Sequence, residues 1–260
     1  MNRLLQDQVC LIAGTTGIGG ASARLFATEG AKIVAVGRSP ENAAALGRDL
    51  DGLGADHLEL PEDLATPGAE ERVLAAAAAR FGRVDVLFHV AGISGRKFGD
   101  GPLADCTDEG WDTVMNINLR AMMRLNRACI RHWLAAKRPG VILNMASVLG
   151  FSFVPDHFQT VGYAAAKAAI VGLSQHAAGT YARDGIRVNV IAPALVDTPM
   201  AARATRNPAI QELMKRKQPL TGAPLTDEDC ARAALYLCSP LSAGVTGVVL
   251  PVDAGWCVCG

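Results

Sequence analysis

The chain has 260 residues, half of them apolar, with 25 basic residues balanced by 25 acidic ones. A zero net charge argues against a basic nucleic-acid surface or a polybasic membrane patch, and no apolar run reaches the roughly 20 residues of a membrane span. Asp7 and the glycine turn behind it argue against reading the opening residues as a secretory leader.

Short apolar runs then alternate with longer stretches of helical period. Residues 8–13 predict a first strand, followed by the glycine-rich "AGTTGIGG" of residues 13–20 and a helix over 18–29. A strand at 31–36 precedes a helix at 40–51, one at 56–60 precedes 67–81, and one at 84–90 precedes a long helix at 108–137. A strand at 140–146 leads to a helix at 161–183, and a strand at 186–191 leads to helices at 199–216 and 226–239, before a last strand at 247–252. "KIVAV", "VDVLFHV" and "GVILNMA" are almost continuously apolar, as strands are when helices cover both faces of a parallel sheet. The strict βα order predicts an α/β fold: a doubly wound, Rossmann-type, mostly parallel seven-stranded sheet with right-handed crossovers, in a single domain over 1–260. Ligands bind such sheets beyond the carboxyl ends of the strands, which directs attention to 14–19, 37–39, 61–64, 91–97, 146–158 and 192–200.

Seven cysteines, Cys10, Cys106, Cys129, Cys230, Cys238, Cys257 and Cys259, are scattered mostly in apolar patterns. They read as free thiols of a reducing cytoplasm. Cys257 and Cys259 have no second Cys/His pair at ligand spacing, so no metal is expected.

The glycine turn departs from G-x-G-x-x-G, because Ser22 stands where the third glycine would follow Gly17 and Gly19. Gly14, Gly17 and Gly19 still allow positive φ and close backbone approach, and the next helix aims its free N–H groups at the same spot, which suits a pyrophosphate. Farther on, "YAAAK" puts Tyr163 and Lys167 at i, i+4 on one helix face. With so few tyrosines and lysines in the chain, chance supplies roughly 0.07 such pairs. Ser147 follows the fifth strand and Asn118 lies in the long helix before it.

Together these residues resemble the short-chain dehydrogenase/reductase family, over nearly the whole chain from Gln8 to Gly255. The turn resembles the family's T-G-x-x-x-G-x-G, with Ile12 and Ala13 in place of its Thr and first Gly. Asp63-Leu64 resembles the acidic-apolar contact to adenine, and "HVAG" stands for N-N-A-G with His89 and Val90 departing. "WDTVMNINL" places the active-site asparagine at Asn118. "NMAS" keeps the catalytic serine as Ser147, with Ala146 for a serine. "IAPALVDTP" resembles the segment beside the nicotinamide, with Ala194 for Gly, and "LPVDAGW" the V-D-G-G close.

The resemblance implies an NAD(P)-dependent oxidoreductase that moves a hydride between nicotinamide and a secondary alcohol or ketone. Tyr163 would be the acid/base, drawn toward tyrosinate by Lys167 and by an oxidised nicotinamide ring stacked nearby, with Lys167 also holding the ribose, Ser147 the hydrogen-bonding partner of the reacting oxygen, and Asn118 the support of a proton-relay water. Cofactor contacts are expected from Gly14, Thr15, Thr16, Gly17, Ile18, Gly19, Arg38, Asp63, Leu64, Ala91, Gly92, Tyr163, Lys167, Pro193, Val196 and Thr198. After the second strand stands Gly37, with no carboxylate for the ribose hydroxyls, and then Arg38, so NADP(H) is expected over NAD(H). A non-redox lyase or epimerase, or a binding protein without turnover, is the alternative on the same scaffold.

A loop at about 150–162, with Phe151, Phe153, Val154, Asp156, His157 and Phe158, reads either as a wall for an apolar or aromatic substrate or as a core plug. Residues 198–219 resemble the family's lid, whose basic residues Arg203, Arg206, Lys215, Arg216 and Lys217 read as a solvated surface. Arg120, Arg124, Arg127 and Arg131 form one stripe on the long helix. A small-molecule substrate is expected, with no nucleic acid and no membrane. The resemblance further implies a homodimer or homotetramer paired through the helices at 108–137 and 161–183.

Overall fold

Every strand lies within two residues of its expected bounds. The structure, a computed structural model, describes residues 3–259. Strands β1 (Val9–Ala13), β2 (Lys32–Gly37), β3 (His57–Pro61), β4 (Val86–His89), β5 (Gly140–Met145), β6 (Ile186–Pro193) and β7 (Val249–Val252) form one sheet. All pairings are parallel, in the order β3-β2-β1-β4-β5-β6-β7. The order turns outward on either side of β1 and β4, and the loops leaving their carboxyl ends frame a crevice there.

Helices cover both faces, which is why the strands are apolar on both sides. One face packs Leu11, Val34, Leu87 and Ile142 against α3 (Ala69–Phe81), α5 (Ala121–Ala136) and α6 (Val161–Tyr181). The other packs Ile12, Ile33, Phe88 and Leu143 against α1 (Ile18–Thr28), α2 (Pro40–Gly52) and α9 (Asp227–Cys238). Local signals set the helix starts: Ser39 accepts the Asn42 N–H ahead of Pro40, and Thr226 with Asp229 forms a reciprocal cap.

Two expected helices are broken. The stretch 108–137 is α4 (Asp108–Val114), a π-helical turn over Met115–Arg120, and then α5. The lid is a short turn at Pro199–Ala201 followed by α7 (Ala202–Thr205) and α8 (Pro208–Lys217). It breaks because Pro208 has no N–H to continue a helix, while the Asn207 side chain caps the new one. The arginine stripe is partly used inside the chain. Arg127 pairs with the buried Glu70 of α3 at 3.4 Å, and Arg124 donates to the Ala65 carbonyl at 3.5 Å. Among the described residues no helix is long and apolar enough to cross a membrane, and the cysteines are free.

Candidate active site

The first part of the site is the turn between β1 and α1. Gly14 and Gly17 have φ of 132° and 51°. A Cβ on Gly14 would lie 3.2 Å from Val90 Cβ, and one on Gly19 would overlap the Gly14 carbonyl oxygen. Side chains here would therefore force the turn away from the β4 exit and from the helix it opens. No side chain caps α1 and no acid stands in its first turn, so its N-terminal N–H groups and positive dipole end face the crevice. This cradle fits the pyrophosphate of a dinucleotide.

Ser147 follows β5 directly, and its hydroxyl accepts from the Leu149 N–H at 3.2 Å and donates to the Pro193 carbonyl at 3.3 Å. It starts a 3₁₀ turn that lies against α6. A Cβ on Gly150 would come within 2.9 Å of the Ala168 nitrogen, so this glycine sets how closely Ser147 approaches that helix. On α6, Lys167 Nζ donates to the Met145 carbonyl at 2.8 Å and lies 5.5 Å from the centre of the Tyr163 ring. The i, i+4 pair thus shares the face turned to the end of β5.

Burial governs the charges. It brings the Lys167 ammonium down to about 8 and pushes the Tyr163 phenol above its ordinary value, with the Ser147 hydroxyl pulling it back. The pull toward tyrosinate is expected from Lys167 together with an oxidised nicotinamide ring, and the protein by itself has only the lysine. Desolvation outweighs the Ser147 hydrogen bond, and Tyr163 rests as the protonated acid.

Asn118 sits in the π-helical turn, fully buried. Its Oδ1 accepts the Ile93 N–H at 2.7 Å and its Nδ2 donates to the Ile93 carbonyl at 2.9 Å. A Cβ on Gly92 would come 3.0 Å from Asn118 Oδ1 and 3.8 Å from Lys167 Nζ. Asn118 therefore clasps the chain leaving β4 beside the lysine and does not line the cavity. Single inserted turns of this kind are frequent at functional sites.

The crevice holds a cavity of about 520 Å³. Of the expected residues, Gly14, Thr16, Gly17, Ile18, Ala91, Gly92, Ser147, Tyr163, Lys167, Pro193, Val196 and Thr198 line it. Thr15, Gly19, Arg38, Asp63, Leu64 and Asn118 do not. Thr15 packs over Gly37, and Gly19 is pressed on the Gly14 carbonyl. Arg38 is exposed beyond β2, Asp63 accepts the Ala65 N–H at 3.0 Å, and Leu64 belongs to the core. Of the loop aromatics only Phe158 lines the cavity, set edge-on to Trp256 with ring centres 6.0 Å apart. Phe151 and Phe153 are exposed, so neither the wall nor the plug reading holds for them. Arg203, read from sequence as solvated, is exposed and also lines the cavity.

Asp100 and Gln218 carry no sequence signal, and His89 is marked only as a departure from the family's segment. Asp100, in the irregular "FGDGPL", is buried, and its carboxylate oxygens accept the Gly162 and Tyr163 N–H groups, each at 2.9 Å. The Thr160 side chain caps nothing and α6 has no acid in its first turn, so Asp100 is the carboxylate that holds the start of the Tyr163 helix. Gln218 is fully buried and bonds the Leu195 N–H and carbonyl at 3.0 and 3.2 Å, fastening the chain after β6 to the end of the lid. His89 is fully buried with neither ring nitrogen partnered among the described residues. Burial and then the Lys167 charge hold it at about 3, so it is neutral.

A family model described as enoyl-(acyl carrier protein) reductase matches residues 12–257. The chain is 35% identical to dehydrogenase/reductase SDR family member 6 of Danio rerio, and 34% identical to cis-4-hydroxycyclohexanecarboxylate dehydrogenase of Sinomonas cyclohexanicum. Each alignment covers 98% of this chain and 99% of the relative. Among solved structures, an NADP-bound Agrobacterium tumefaciens protein provisionally described as a 2-deoxy-D-gluconate 3-dehydrogenase superposes with a TM-score of 0.88 at 29% identity, covering 98% of both chains.

Proposed function

The chain belongs to the short-chain dehydrogenase/reductase family and is an NAD(P)-dependent oxidoreductase acting on CH–OH and C=O groups, and we propose that Tyr163 is its acid/base. The observation that carries this is the convergence of Ser147, Tyr163 and Lys167 on one cavity that also contains the glycine cradle.

The nicotinamide supplies or accepts the hydride. The protein's part is to place the carbonyl oxygen between the Ser147 hydroxyl and the Tyr163 phenol. Negative charge grows on that oxygen as the carbonyl is reduced. Ser147 donates a hydrogen bond to it and Tyr163 gives it a proton. The resting protonated phenol suits the reductive direction. In the reverse direction Tyr163 takes the alcohol proton, and the cations beside it stabilise the resulting phenolate. Lys167 would hold the nicotinamide ribose, and Gly14–Gly19, Ala91, Gly92, Pro193, Val196 and Thr198 would frame the rest of the cofactor. The adenosine end would extend past Gly37 to Arg38, Asp63 and Leu64. Arg38, free of protein partners among the described residues, supports NADP(H) over NAD(H) by offering its guanidinium fork to a 2′-phosphate.

The chain is read as one domain over 1–260, at work in a reducing cytoplasm and assembled as a homodimer or homotetramer. A monomer by light scattering at micromolar concentration would overturn the assembly. The activity is tested with a panel of secondary alcohols and ketones followed by nicotinamide absorbance. Tyr163→Phe is expected to abolish turnover while leaving fold and cofactor binding nearly intact, and a variant with near-native kcat would refute the assignment.

A further inference from the structure

The cavity wall has an uneven composition. Next to Tyr163 it is apolar, with Val148, Leu149, Phe158, Leu195 and Trp256. Arg96, Lys97 and Arg203 also line it, and no Asp or Glu does among the described residues. None of these three cations has an ion-pair or side-chain hydrogen-bond partner among the described residues, although the same chain pairs Arg24, Arg72, Arg80, Arg83, Arg127, Arg138 and Arg232 with carboxylates.

Arg96 is half-buried, and Arg203, itself exposed, stands close enough to repel it. Burial first and the Arg203 charge second push the Arg96 guanidinium below its usual range, and only Asp100 pulls the other way. The Asp100 carboxylate cannot serve as a full counterion, because both its oxygens already hold the start of α6. Gly95, next to Arg96, packs on that same carboxylate, so that a Cβ there would come 2.8 Å from Asp100 Oδ2, which sets the Arg96 backbone beside the start of the Tyr163 helix. Arg96 is also held in place by its backbone, in a 3₁₀ turn bounded by Gly95 and Gly99 at φ of 78° and 95°. A partly dehydrated guanidinium with a like charge beside it and no full counterion is costly, and an anionic ligand lowers that cost. Planar forks suit a carboxylate, which each can grip through two parallel hydrogen bonds.

We propose that the substrate is a hydroxy or keto acid, with its carboxylate held by Arg96 and Arg203, its apolar body against Phe158 and Trp256, and its reacting carbon at Tyr163. This rests on the assignment of Tyr163 as acid/base. Because Arg203 rides on α7, the carboxylate would draw the lid onto the rest of the site.

The test is calorimetric titration of the protein–NADP⁺ complex with cyclohexanecarboxylate and with cyclohexanecarboxamide, which match in shape and differ in charge. The carboxylate is expected to bind about 10–100-fold more tightly, the range of a charge-assisted hydrogen-bond pair. Arg96→Met and Arg203→Met should each remove most of that preference, and Arg203→Lys should restore it only in part. Equal binding of acid and amide, or no measurable binding of the acid, overturns the proposal. So does an equal loss of NADP⁺ affinity in the arginine variants, which would assign them to the cofactor phosphates. The two readings fail separately. Tyr163→Phe should leave carboxylate binding intact, and a wild type that reduces neutral ketones while ignoring the charge of the ligand would sink the acid class and leave hydride transfer standing.

Discussion

Asp100→Asn is the sharpest test of how this fold positions its chemistry. The carboxylate accepts two N–H groups in the first turn of α6, one of them from Tyr163 itself, in a buried setting. An amide keeps one acceptor and turns an NH₂ group toward the other donor. Leaving that buried N–H without a partner costs about 1–3 kcal/mol, and removing the negative charge from the positive end of the helix adds about 1 kcal/mol. The sum is about 2–4 kcal/mol. For a chain of this size that lowers Tm by about 5–12 °C, to be read by differential scanning calorimetry. The helix start carries the phenol, and a displacement approaching 1 Å in a reacting group costs about 100-fold in rate. kcat should therefore fall by about 10–100-fold at temperatures where the variant is folded. Cofactor affinity should change less than about 3-fold, because the pyrophosphate site at α1 does not depend on Asp100. A variant whose Tm stays within about 1 °C and whose kcat stays within about 2-fold would refute the reasoning.

Three further outcomes are expected. Comparing kcat/KM for the two cofactors should show a preference for NADP(H) that moves toward NAD(H) in Gly37→Asp/Arg38→Leu; a wild type preferring NAD(H), or a double variant with no such movement, would sink the phosphate reading. Burial holds folded Lys167 near 8 against 10.5 unfolded. The folded protein thus binds fewer protons than the unfolded chain between those values, and stability gains on the order of 3 kcal/mol as pH rises through that window. Lys167→Met lacks that gain, so its stability relative to wild type should decline from pH 8 to 10.5 in urea titrations, and a flat difference would contradict the assignment. His89→Leu removes two unpartnered buried nitrogens at similar volume and should stabilise by about 1–3 kcal/mol, whereas a loss in chemical denaturation would mean that the imidazole is satisfied by bound water.

The strands were readable because a strand buried on both faces is apolar along nearly its whole length, as in Val86–His89 and Gly140–Met145, where only His89 and Asn144 depart. Tyr163 and Lys167 were readable because helical spacing converts sequence distance directly into a shared face. What escaped depends on contacts between irregular segments. Asp100 meets a helix more than 60 positions away, Arg203 reaches the cavity only because the lid folds back over it, and Phe158 is distinguished from Phe151 and Phe153 only by its packing on Trp256. Such pairings have no period. The π-helical turn was equally hidden, since Met115–Arg120 continues the helical pattern on either side of it.

The strand order has a consequence for synthesis. β1 is made first but sits in the middle of the sheet, between β2 and a β4 that begins only at Val86. Until β4 emerges from the ribosome, one edge of β1 has no hydrogen-bonding neighbour, and Leu87 and Phe88 are not yet there to cover it. Trp256 is made after every other residue lining the cavity. A nascent chain thus carries the glycine turn long before it has a pocket, with an unpaired apolar edge that invites chaperones or misassociation. Assembly through such long-range parallel pairings is slow by nature.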